Sequence, residues 1–408
     1  MVTDAASLPL ANSKTGSRNA PVLVCITNIP TPYRAHFFAR LARALDARGW
    51  KFEAWFMARS EQERYWTVDL SELPFEHRLL RGFSFRVPGA VLHTNPEVAR
   101  CLAVTRPSVL IMAGSWAQPT NILAAMLARW VHQAKVVFWS ESHLKSMAQT
   151  GPLTNLMRRG LLSLYDSFAV PGKLAREYID KFASGRPTLQ LANTVDELLF
   201  RDKVLELRRD RQSLRRDLAI PDHRRVLLMT ARLSPDKGIV PFLEALASCD
   251  QQISSQTAVL IAGEGRLKSQ IGRWINEHAA LDVRLMGHLS EEDLLRLYAV
   301  ADTFVLPSLR DPNPLAVVEA LWAGLPLMLS DRVGNCFEAL MPGENGWLFN
   351  TESSTSIKAC LESWRAADDR VLSTFGESSS KIAEERFETS RVVESFLNEI
   401  ISVLSAEC

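Results

Sequence analysis

The feature that most constrains the fold is a series of short apolar runs alternating with helical segments, and this series occurs twice. The first series begins at residues 22–26 and the second at residues 225–230. Continuous apolar runs of this length are typical of parallel strands that are buried on both faces. Strands that alternate with helices predict a parallel sheet with helices on each side. The sequence therefore predicts an α/β protein with two Rossmann-like, doubly wound parallel-sheet domains.

Chain length and the spacing of the two series set the expected boundaries. At roughly 100–200 residues per domain, 408 residues favour two or three domains. A stretch dense in Arg, Asp and Lys separates the two series and predicts a linker with a short solvated helix. We expect a flexible tail over 1–20, a first domain over 21–195, a linker over 196–224, a second domain over 225–380 and a final segment over 381–408, with one amphipathic helix at 381–404.

The near-zero net charge conceals two oppositely charged halves. Residues 1–200 contain 23 basic and 15 acidic residues, whereas residues 201–408 contain 24 and 31. A basic half suits contact with phosphate or with an acidic membrane leaflet, and an uneven but solvated surface explains the charge equally well.

Residues 153–165 also raise the question of contact with a membrane. Their bulky apolar groups beside Arg158 and Arg159 suit an interfacial helix, but a packed helix with two solvated arginines is favoured.

Cysteine usage and the lengths of the apolar runs exclude several protein classes. The six cysteines are scattered without a C-x-x-C pair, which argues against a disulfide framework or a structural zinc site. No apolar run approaches the roughly 18 residues of a membrane span, and residues 1–19 lack the apolar middle of a signal peptide. We expect a cytoplasmic protein, with peripheral attachment to the inner face of the membrane left open.

Two loops in the second series carry residues suited to phosphate. Arg232 and Lys237 follow the strand predicted at 225–230, and Gly238 allows a tight turn into the next helix. Ligands of open α/β sheets bind beyond the carboxyl ends of strands, where two cations suit a diphosphate. The run Gly263-Glu-Gly-Arg-Leu-Lys268 begins like a dinucleotide fingerprint but lacks its third glycine. A solvated loop and a tight turn are the alternative interpretations.

A third segment places two carboxylates around a predicted helix start. Asp311 lies in a loop with Pro312 and Pro314, and Glu319 lies about one turn inside the helix. The helix start offers free N–H groups to an anion. Paired acceptors beside such a helix start suit a sugar nucleotide, one for the sugar and one for the ribose. A helix-terminal charge plus a surface glutamate is the alternative.

Taken in order, these motifs resemble the family 4 retaining glycosyltransferases, which have the GT-B fold. The similarity is strong over about 225–350, and it implies two domains that face a central cleft. Upstream, residues 192–196 resemble the family's inter-domain segment. The ordered motifs are Ala231-Arg-Leu-x3-Lys-Gly238, Ala262-Gly-Glu-Gly265, Met286-Gly-His288, Tyr298-x2-Ala-Asp-x-Phe-Val-Leu-Pro-Ser308, the acidic pair, Val333-Gly334 and Glu344-Asn-Gly-Trp-Leu-Phe349.

The resemblance implies a role for each matched position in the second, nucleotide-sugar-binding domain. Arg232 and Lys237 match the basic pair that grips the donor diphosphate. Asp311 matches the first acid of the Glu-x7-Glu motif, which contacts the donor sugar, and Glu319 matches the second, which holds the ribose. The other implied donor-binding positions are Gly263, Gly287 and His288 near the base, and Asn313, Leu315 and Ala316 near the phosphates.

The first domain is the acceptor side in this family, and the final helix often returns to it. Residues 27–34 form an Asn-x-Pro-x-Pro-Tyr-Arg variant of the usual glycine-rich loop, which makes Asn28, Tyr33 and Arg34 acceptor-side candidates. Many members place a histidine after the strand that matches 136–139. Glu141 falls closest to that position, with His143 behind it. Both are catalytic candidates with Asp311, and a surface position is the alternative for His143.

Two departures from the family pattern bear on the donor site. Asp311 is one methylene shorter than the usual glutamate. Asn313-Pro314 replaces the usual aromatic-Gly pair, and Pro314 removes one N–H donor. The departures leave the donor sugar and the level of activity open.

The implied reaction moves a sugar, with retention, from an NDP-sugar to a glycan or lipid-linked acceptor. Cations and N–H groups stabilise the departing phosphate, and that phosphate accepts the proton of the acceptor, so no protein nucleophile is expected. The chain has no Asp-x-Asp, and we expect no required metal, no cofactor and no nucleic-acid partner. The family association points to bacterial surface polysaccharide or lipopolysaccharide synthesis.

Two other functions stay open at this point. The departures at Asp311 and Pro314 favour a catalytically degenerate protein that binds a nucleotide sugar. A nicotinamide-dependent oxidoreductase is the third possibility. Lys268, in place of the third glycine, argues against it, as does the absence of an acid at Met286-Gly287, where one would bind the ribose.

Overall fold

Fifteen strands are present in the computed structural model, which describes residues 20–61, 68–87, 90–147 and 151–405. The predicted tail, apart from Ala20, lies outside these residues. The strands are β1 (Val22–Thr27), β2 (Lys51–Phe56), β3 (Glu76–Leu79), β4 (Phe83–Val87), β5 (Ala90–Thr94), β6 (Val109–Ala113), β7 (Lys135–Trp139), β8 (Ser167–Val170), β9 (Thr188–Gln190), β10 (Arg225–Thr230), β11 (Thr257–Ala262), β12 (Asp282–Gly287), β13 (Thr303–Leu306), β14 (Leu327–Ser330) and β15 (Gly346–Phe349).

Helices connect most of these strands in the described residues. They are α1 (Pro32–Asp46), α2 (Glu97–Thr105), α3 (Pro119–Trp130), α4 (Pro152–Leu162), α5 (Lys173–Phe182), α6 (Val204–Arg208), α7 (Arg211–Asp217), α8 (Ile239–Ala247), α9 (Gln251–Ser255), α10 (Lys268–Glu277), α11 (Glu291–Val300), α12 (Leu315–Trp322), α13 (Cys336–Ala339), α14 (Ser354–Ala366), α15 (Asp369–Arg386) and α16 (Thr389–Ser405). Two 3₁₀ turns occupy Leu70–Glu72 and Pro235–Lys237, and a π-helix occupies Leu199–Lys203.

The strands form two parallel sheets, which confirms the predicted pair of doubly wound domains. The first sheet has the order β3-β2-β1-β6-β7-β8-β9 and the second has the order β12-β11-β10-β13-β14-β15. β4 and β5 form a separate antiparallel hairpin. The strand order reverses between β1 and β6 in the first sheet and between β10 and β13 in the second. Such reversals open a crevice at the carboxyl ends of the strands, where α/β proteins bind ligands.

The segment predicted as a linker with a solvated helix is more closely packed than expected. The π-helix, α6 and α7 run nearly end to end, and Phe200 and Val204 are buried on one side of them. Arg215 is 5% exposed and donates hydrogen bonds to the carbonyl groups of Pro221 and Arg224. The prediction of a solvated helix was wrong because the many charges concealed an apolar face.

The predicted single helix over 381–404 is two helices. α15 ends at Arg386, and α16 begins at Thr389 and packs against α1 and β9 of the first sheet. The Oγ1 of Thr389 donates to the carboxylate of Glu197 at 2.8 Å, and His36 Nε2 lies 3.3 Å from the same carboxylate. The chain therefore passes between its two halves twice at nearly the same place.

The interpretation of residues 153–165 as a packed helix with two solvated arginines is wrong for Arg158 of α4. Arg158 is only 4% exposed, and its guanidinium lies over the rings of Trp116 and Phe182 at 5.1 and 4.7 Å. Leu153 and Leu156 are exposed instead. Cation–π contact explains why the arginine is inside, where aromatic rings replace part of its hydration.

Two further features are the state of the cysteines and the character of the helices. Cys25, Cys101, Cys249, Cys336 and Cys360 are free thiols, and Cys408 lies outside the described residues. Among the helices of the described ranges, none combines the length and the apolar character needed to cross a membrane.

Candidate functional site

A cleft of about 750 Å³ lies between the two halves, at the carboxyl ends of both sheets. Its walls include the residues that follow β1 and β6 in the first sheet and β10 and β13 in the second, and residues after β2, β7 and β9 complete them. Each sheet reverses its order between β1 and β6 or between β10 and β13. The two crevices that the topology creates thus open into one space.

The cleft brings together nine of the fifteen residues that the sequence singled out. Six others lie outside its walls. The residues in the walls are Asn28, Tyr33, Arg34, Glu141, Arg232, Lys237, Asp311, Asn313 and Leu315, and those outside are His143, Gly263, Gly287, His288, Ala316 and Glu319.

On the C-terminal side, Lys237 and Asp311 form a buried ion pair. The Nζ of Lys237 lies 2.5 Å from the Oδ2 of Asp311, and the Ser308 hydroxyl donates to the same oxygen at 3.3 Å. Gly238 places Lys237 by adopting φ +64°, and a Cβ there would overlap the carbonyl oxygen of Pro307. The lysine predicted to hold a diphosphate therefore already has a carboxylate partner.

The start of α12 forms the adjoining wall. Pro314 caps this helix and accepts a hydrogen bond from the Asn335 amide at 3.0 Å, so Leu315 is the first helical residue. The side-chain Nδ2 of Asn313 is buried without a hydrogen-bond partner in the described residues. Buried polar groups are nearly always paired, so this amide marks a position where a ligand or water would be accommodated.

Glu319 lies inside the protein rather than on its surface. It is 4% exposed, and its two carboxylate oxygens accept hydrogen bonds from Tyr33 at 2.6 Å and from Tyr298 at 2.7 Å. Burial raises the pKa of Glu319, and the two tyrosine hydrogen bonds oppose that effect. The negative charge of Glu319 in turn raises the pKa of Tyr33. Because Tyr33 belongs to α1, this carboxylate joins the two halves.

On the N-terminal side, a second ion pair faces the cleft. Arg34 donates to Glu141 at 2.7 Å, and the Asn193 amide donates to the same carboxylate oxygen at 2.9 Å. The guanidinium of Arg34 also stacks over Trp139 at 3.5 Å. Thr31 caps α1 by accepting from the N–H of Arg34, so the first turn of this helix presents Tyr33 and Arg34 side by side. The prolines at 30 and 32 predict a loop through Tyr33, but α1 already begins at Pro32, because proline is tolerated in the first turn of a helix.

His143 is fully buried, so its interpretation as a surface residue was wrong. Its Nε2 lies 3.0 Å from the backbone carbonyl of Asp311, and its Nδ1 has no partner in the described residues. Burial lowers the pKa of His143. A neutral imidazole that donates from Nε2 suits this contact, which links the N-terminal half to the Asp311 loop.

Asn28 and Gly114 form the floor of the N-terminal side. Gly114 adopts φ +110°, and a Cβ there would lie 2.6 Å from the Oδ1 of Asn28. The amide of Asn28 donates to Glu61 at 3.1 Å, and His93 Nε2 lies 3.0 Å from the same oxygen of Glu61. Only glycine at position 114 allows the backbone this close to Asn28.

The residues expected near a nucleotide base cluster beside the cleft. The N–H of Gly263 donates to the carbonyl of Gly287 at 2.8 Å. Glu264 accepts from Lys268 at 2.7 Å, and this hydrogen bond is the main cause of its lowered pKa. His288 is exposed next to them. Gly263 adopts φ +142°, and a Cβ at this position would overlap the carbonyl oxygen of Ala231. Only glycine therefore fits here.

Sequence reasoning missed several residues of the site. Asn193 and Tyr298 were visible within recognised motifs, but nothing in those motifs predicted their hydrogen bonds. Glu61, Trp116 and Trp139 carry no motif, and only the fold brings them to the cleft. In the described parts of the chain, no group of three or more His, Cys, Asp or Glu side chains is arranged to hold a metal ion.

Comparisons with known proteins bear on both halves. Residues 210–377 match the family model described as glycosyl transferases group 1. Glycogen synthase of Mycobacterium tuberculosis is 36% identical over 121 residues, which cover 29% of each chain. An Escherichia coli enzyme, UDP-Gal:alpha-D-GlcNAc-diphosphoundecaprenol alpha-1,3-galactosyltransferase, is 31% identical over 149 residues, 36% of this chain and 38% of that one. The chain spans about a third of the length of these curated relatives.

The likeness in structure extends over nearly the whole chain. HepE of Anabaena, solved in complex with UDP and glucose, superposes with a TM-score of 0.70 at 17% identity and covers 95% of this chain and 100% of its own. At this identity the likeness establishes the fold. Residues 210–377 thus match the group 1 glycosyl transferase family, within a chain that has the two facing α/β domains of the GT-B fold.

Proposed function

We propose that this protein is a family 4 retaining glycosyltransferase that moves a sugar from an NDP-sugar to a glycan or lipid-linked acceptor. The observation that best supports this proposal is the composition of the cleft. It sets Arg232, Lys237 and the start of α12 on one wall and an independent set of polar groups on the other. The family match over 210–377 supports the donor half.

On the donor side, Arg232 and Lys237 bind the diphosphate and the N–H groups of Leu315 and Ala316 meet its oxygens. Asp311 contacts the donor sugar while it also orients Lys237. Gly263, Gly287 and His288 lie beside the base. In this proposal Glu319 receives the ribose, which requires Tyr33 to give up its hydrogen bond to that carboxylate.

The chemistry needs electrostatic stabilisation more than a nucleophile. As the bond between the anomeric carbon and the phosphate oxygen breaks, negative charge builds on the leaving phosphate, where the cations and helix N–H groups stabilise it. The acceptor hydroxyl attacks from the same face and passes its proton to that phosphate, so the configuration is retained. Glu141, held by Arg34 and Asn193, orients the acceptor. His143 acts as a positioning residue, because it touches the Asp311 loop rather than the cleft.

The acceptor side comprises Asn28, Tyr33 and Arg34, and closure of the two halves excludes water during transfer. We place the reaction in bacterial surface polysaccharide or lipopolysaccharide synthesis. The name of the Escherichia coli relative includes GlcNAc-diphosphoundecaprenol, which supports a lipid-linked acceptor for this protein. We further propose a cytoplasmic protein, with no required metal or cofactor, that contacts the anionic inner membrane face through the exposed Leu153 and Leu156 of α4.

A second function has its own supporting observation. Lys237 is already paired with Asp311, and Pro314 withdraws an N–H donor from the start of α12. Both features weaken a phosphate site, as expected in a degenerate protein that binds a nucleotide sugar without transferring it.

A ligand panel followed by a turnover assay tests both proposals. Melting temperature is measured with UDP, GDP, ADP, CMP and NAD, each at about 1 mM, on the wild type and on Lys237→Met. A rise of a few degrees with one nucleoside diphosphate, lost in the variant, supports the donor site. Transfer or slow hydrolysis of the matching NDP-sugar then supports the enzyme, whereas binding without turnover supports the degenerate protein. A response to NAD alone contradicts both.

A further inference from the structure

A second large cavity, of about 670 Å³, lies at the opposite edge of the second sheet from the cleft. Its walls include Arg225, Asp302 and Pro326, which lie at the amino ends of β10, β13 and β14. The cavity is therefore separate from the site proposed for the donor and acceptor.

Two segments of the chain face each other across this cavity. One wall comes from α6 and α7, which follow the first passage between the halves. The other comes from α15, which leads into the return passage at Thr389. The cavity thus lies within the second half, between the two helical segments that adjoin the passages. A ligand bound there contacts both of them.

The walls carry five arginines and four acidic residues, but the two sets differ in burial. The arginines are buried or half-buried, whereas three of the acids point into solvent and only Asp302 is half-buried. The interior is therefore more positive than the simple count suggests. The arginines are Arg208, Arg211, Arg215, Arg224 and Arg225, and the exposed acids are Asp222, Asp369 and Glu377.

Arg208 differs from the other four arginines. Arg211 and Arg215 share the carboxylate of Asp302 at 2.7 and 3.7 Å, while Arg224 pairs with Asp282 at 2.9 Å and Arg225 with Asp369 at 3.0 Å. In the described ranges, no acceptor lies within hydrogen-bond or ion-pair distance of the Arg208 guanidinium.

The surroundings of Arg208 penalise its charge. Burial and the nearby charge of Arg211 lower the pKa of Arg208 to about 10, and the charge of Asp302 opposes them only in part. The guanidinium lies against Gly324, whose φ of +62° turns the chain beneath it. A half-buried cation without a partner costs stability unless an anion arrives to pair with it.

We propose that this cavity binds a small phosphate-bearing anion, with Arg208 and Arg211 as its principal ligands. Arginine presents paired N–H donors that match the oxygens of a phosphate group. The anion would contact α6, α7 and α15 at once and so hold these helices of the second half together.

The test uses inorganic phosphate as the probe and compares four forms of the full-length chain. Wild type, Arg208→Met, Arg209→Met and Lys237→Met are titrated with sodium phosphate, with the ionic strength matched by sodium chloride. Methionine keeps the aliphatic length of arginine while removing its charge. Arg209 is the matched control, because it is exposed and does not line the cavity. Lys237→Met distinguishes phosphate binding in this cavity from phosphate binding in the cleft.

The expected result is a rise in melting temperature of about 2–4 °C at saturating phosphate in the wild type, Arg209→Met and Lys237→Met. The affinity of Arg208→Met for phosphate should be lower than that of the wild type by about tenfold or more. Without phosphate the Arg208→Met variant should be at least as stable as Arg209→Met, because it removes a half-buried charge. A response lost in Lys237→Met but kept in Arg208→Met would assign phosphate binding to the cleft and overturn the proposal. No response in the wild type, or an Arg208→Met protein destabilised without phosphate, would also overturn it.

Discussion

Each half of the molecule contributes one ion pair to the cleft, and the two pairs differ in burial. The Lys237 and Asp311 side chains are 12% and 6% exposed, whereas those of Arg34 and Glu141 are 19% and 31% exposed. A buried pair is costly to break, because the remaining member is left charged without water. A partly exposed pair adds little stability. We therefore expect the C-terminal pair to contribute both to folding and to binding of the proposed ligand, and the N-terminal pair to act mainly on the ligand.

Lys237→Met should have the largest effect. It removes a cation from the proposed phosphate site and leaves Asp311 unpaired, so transfer should fall by roughly 10²–10³-fold and the free energy of unfolding by about 3 kcal/mol. Turnover assays and urea denaturation measure the two effects. The double variant Lys237→Met/Asp311→Asn should regain stability but not nucleotide binding. If the single variant bound the nucleotide as well as the wild type does, Lys237 would not be part of the donor site.

Tyr33→Phe tests the contact that crosses from one half to the other. The variant loses the hydrogen bond to Glu319, which should cost about 2 kcal/mol of unfolding free energy, as is typical for a bond to a charged group. Urea denaturation at pH 7.5 measures it. Tyr298→Phe is the matched control, because it removes the other hydrogen bond to Glu319 within the second half. If Tyr33→Phe were neutral while Tyr298→Phe was not, the two halves would not be joined at this carboxylate.

Glu141→Gln tests the ion pair on the N-terminal side of the cleft. The amide keeps the shape of the side chain but weakens its contact with Arg34, so transfer should fall by about tenfold. The free energy of unfolding should change by less than about 1 kcal/mol. The nucleotide-induced rise in melting temperature should be unchanged, because the residue lies on the acceptor side. A variant that lost nucleotide binding would show that the two walls of the cleft do not divide donor from acceptor.

His143→Gln should have the smallest effect, visible in the pH dependence of stability. Because burial lowers the pKa of His143 below its ordinary value of 6.5, the unfolded chain binds more protons than the folded one just below that pH. Stability should therefore fall as the pH decreases from about 6.5 towards the folded-state value, and the variant should show a shallower fall. Urea denaturation at several pH values measures the slopes. Equal slopes would mean that His143 is not the group responsible.

The alternation of strands and helices predicted the two sheets, because buried parallel strands must be apolar along their whole length. β3, β9 and β15 were not predicted, since they are short and carry polar or aromatic residues at the sheet edges. The four-residue strand β8 and the hairpin strands β4 and β5 were not predicted either. The break before Thr389 was also missed, because apolar spacing continues across the end of α15 into α16.

The C-terminal wall was easier to predict than the N-terminal wall. Arg232, Lys237 and Asp311 follow adjacent strands within one motif series, so their convergence follows from the parallel sheet. Glu61 and Trp116 reach the cleft through loops without any recurrent pattern. The partners of Glu319 were also unpredictable, because Tyr33 lies 286 residues away along the chain.

The double passage between the halves has a consequence for protein engineering. Glu197 and Thr389 are joined by a hydrogen bond of 2.8 Å, so in topological terms residues 198–388 are an insertion whose two ends meet. The segment that matches the family model, 210–377, lies wholly within this insertion. We therefore expect that another α/β module with ends of the same spacing could replace it as one continuous piece, while the seven-stranded sheet and α16 keep their native connections.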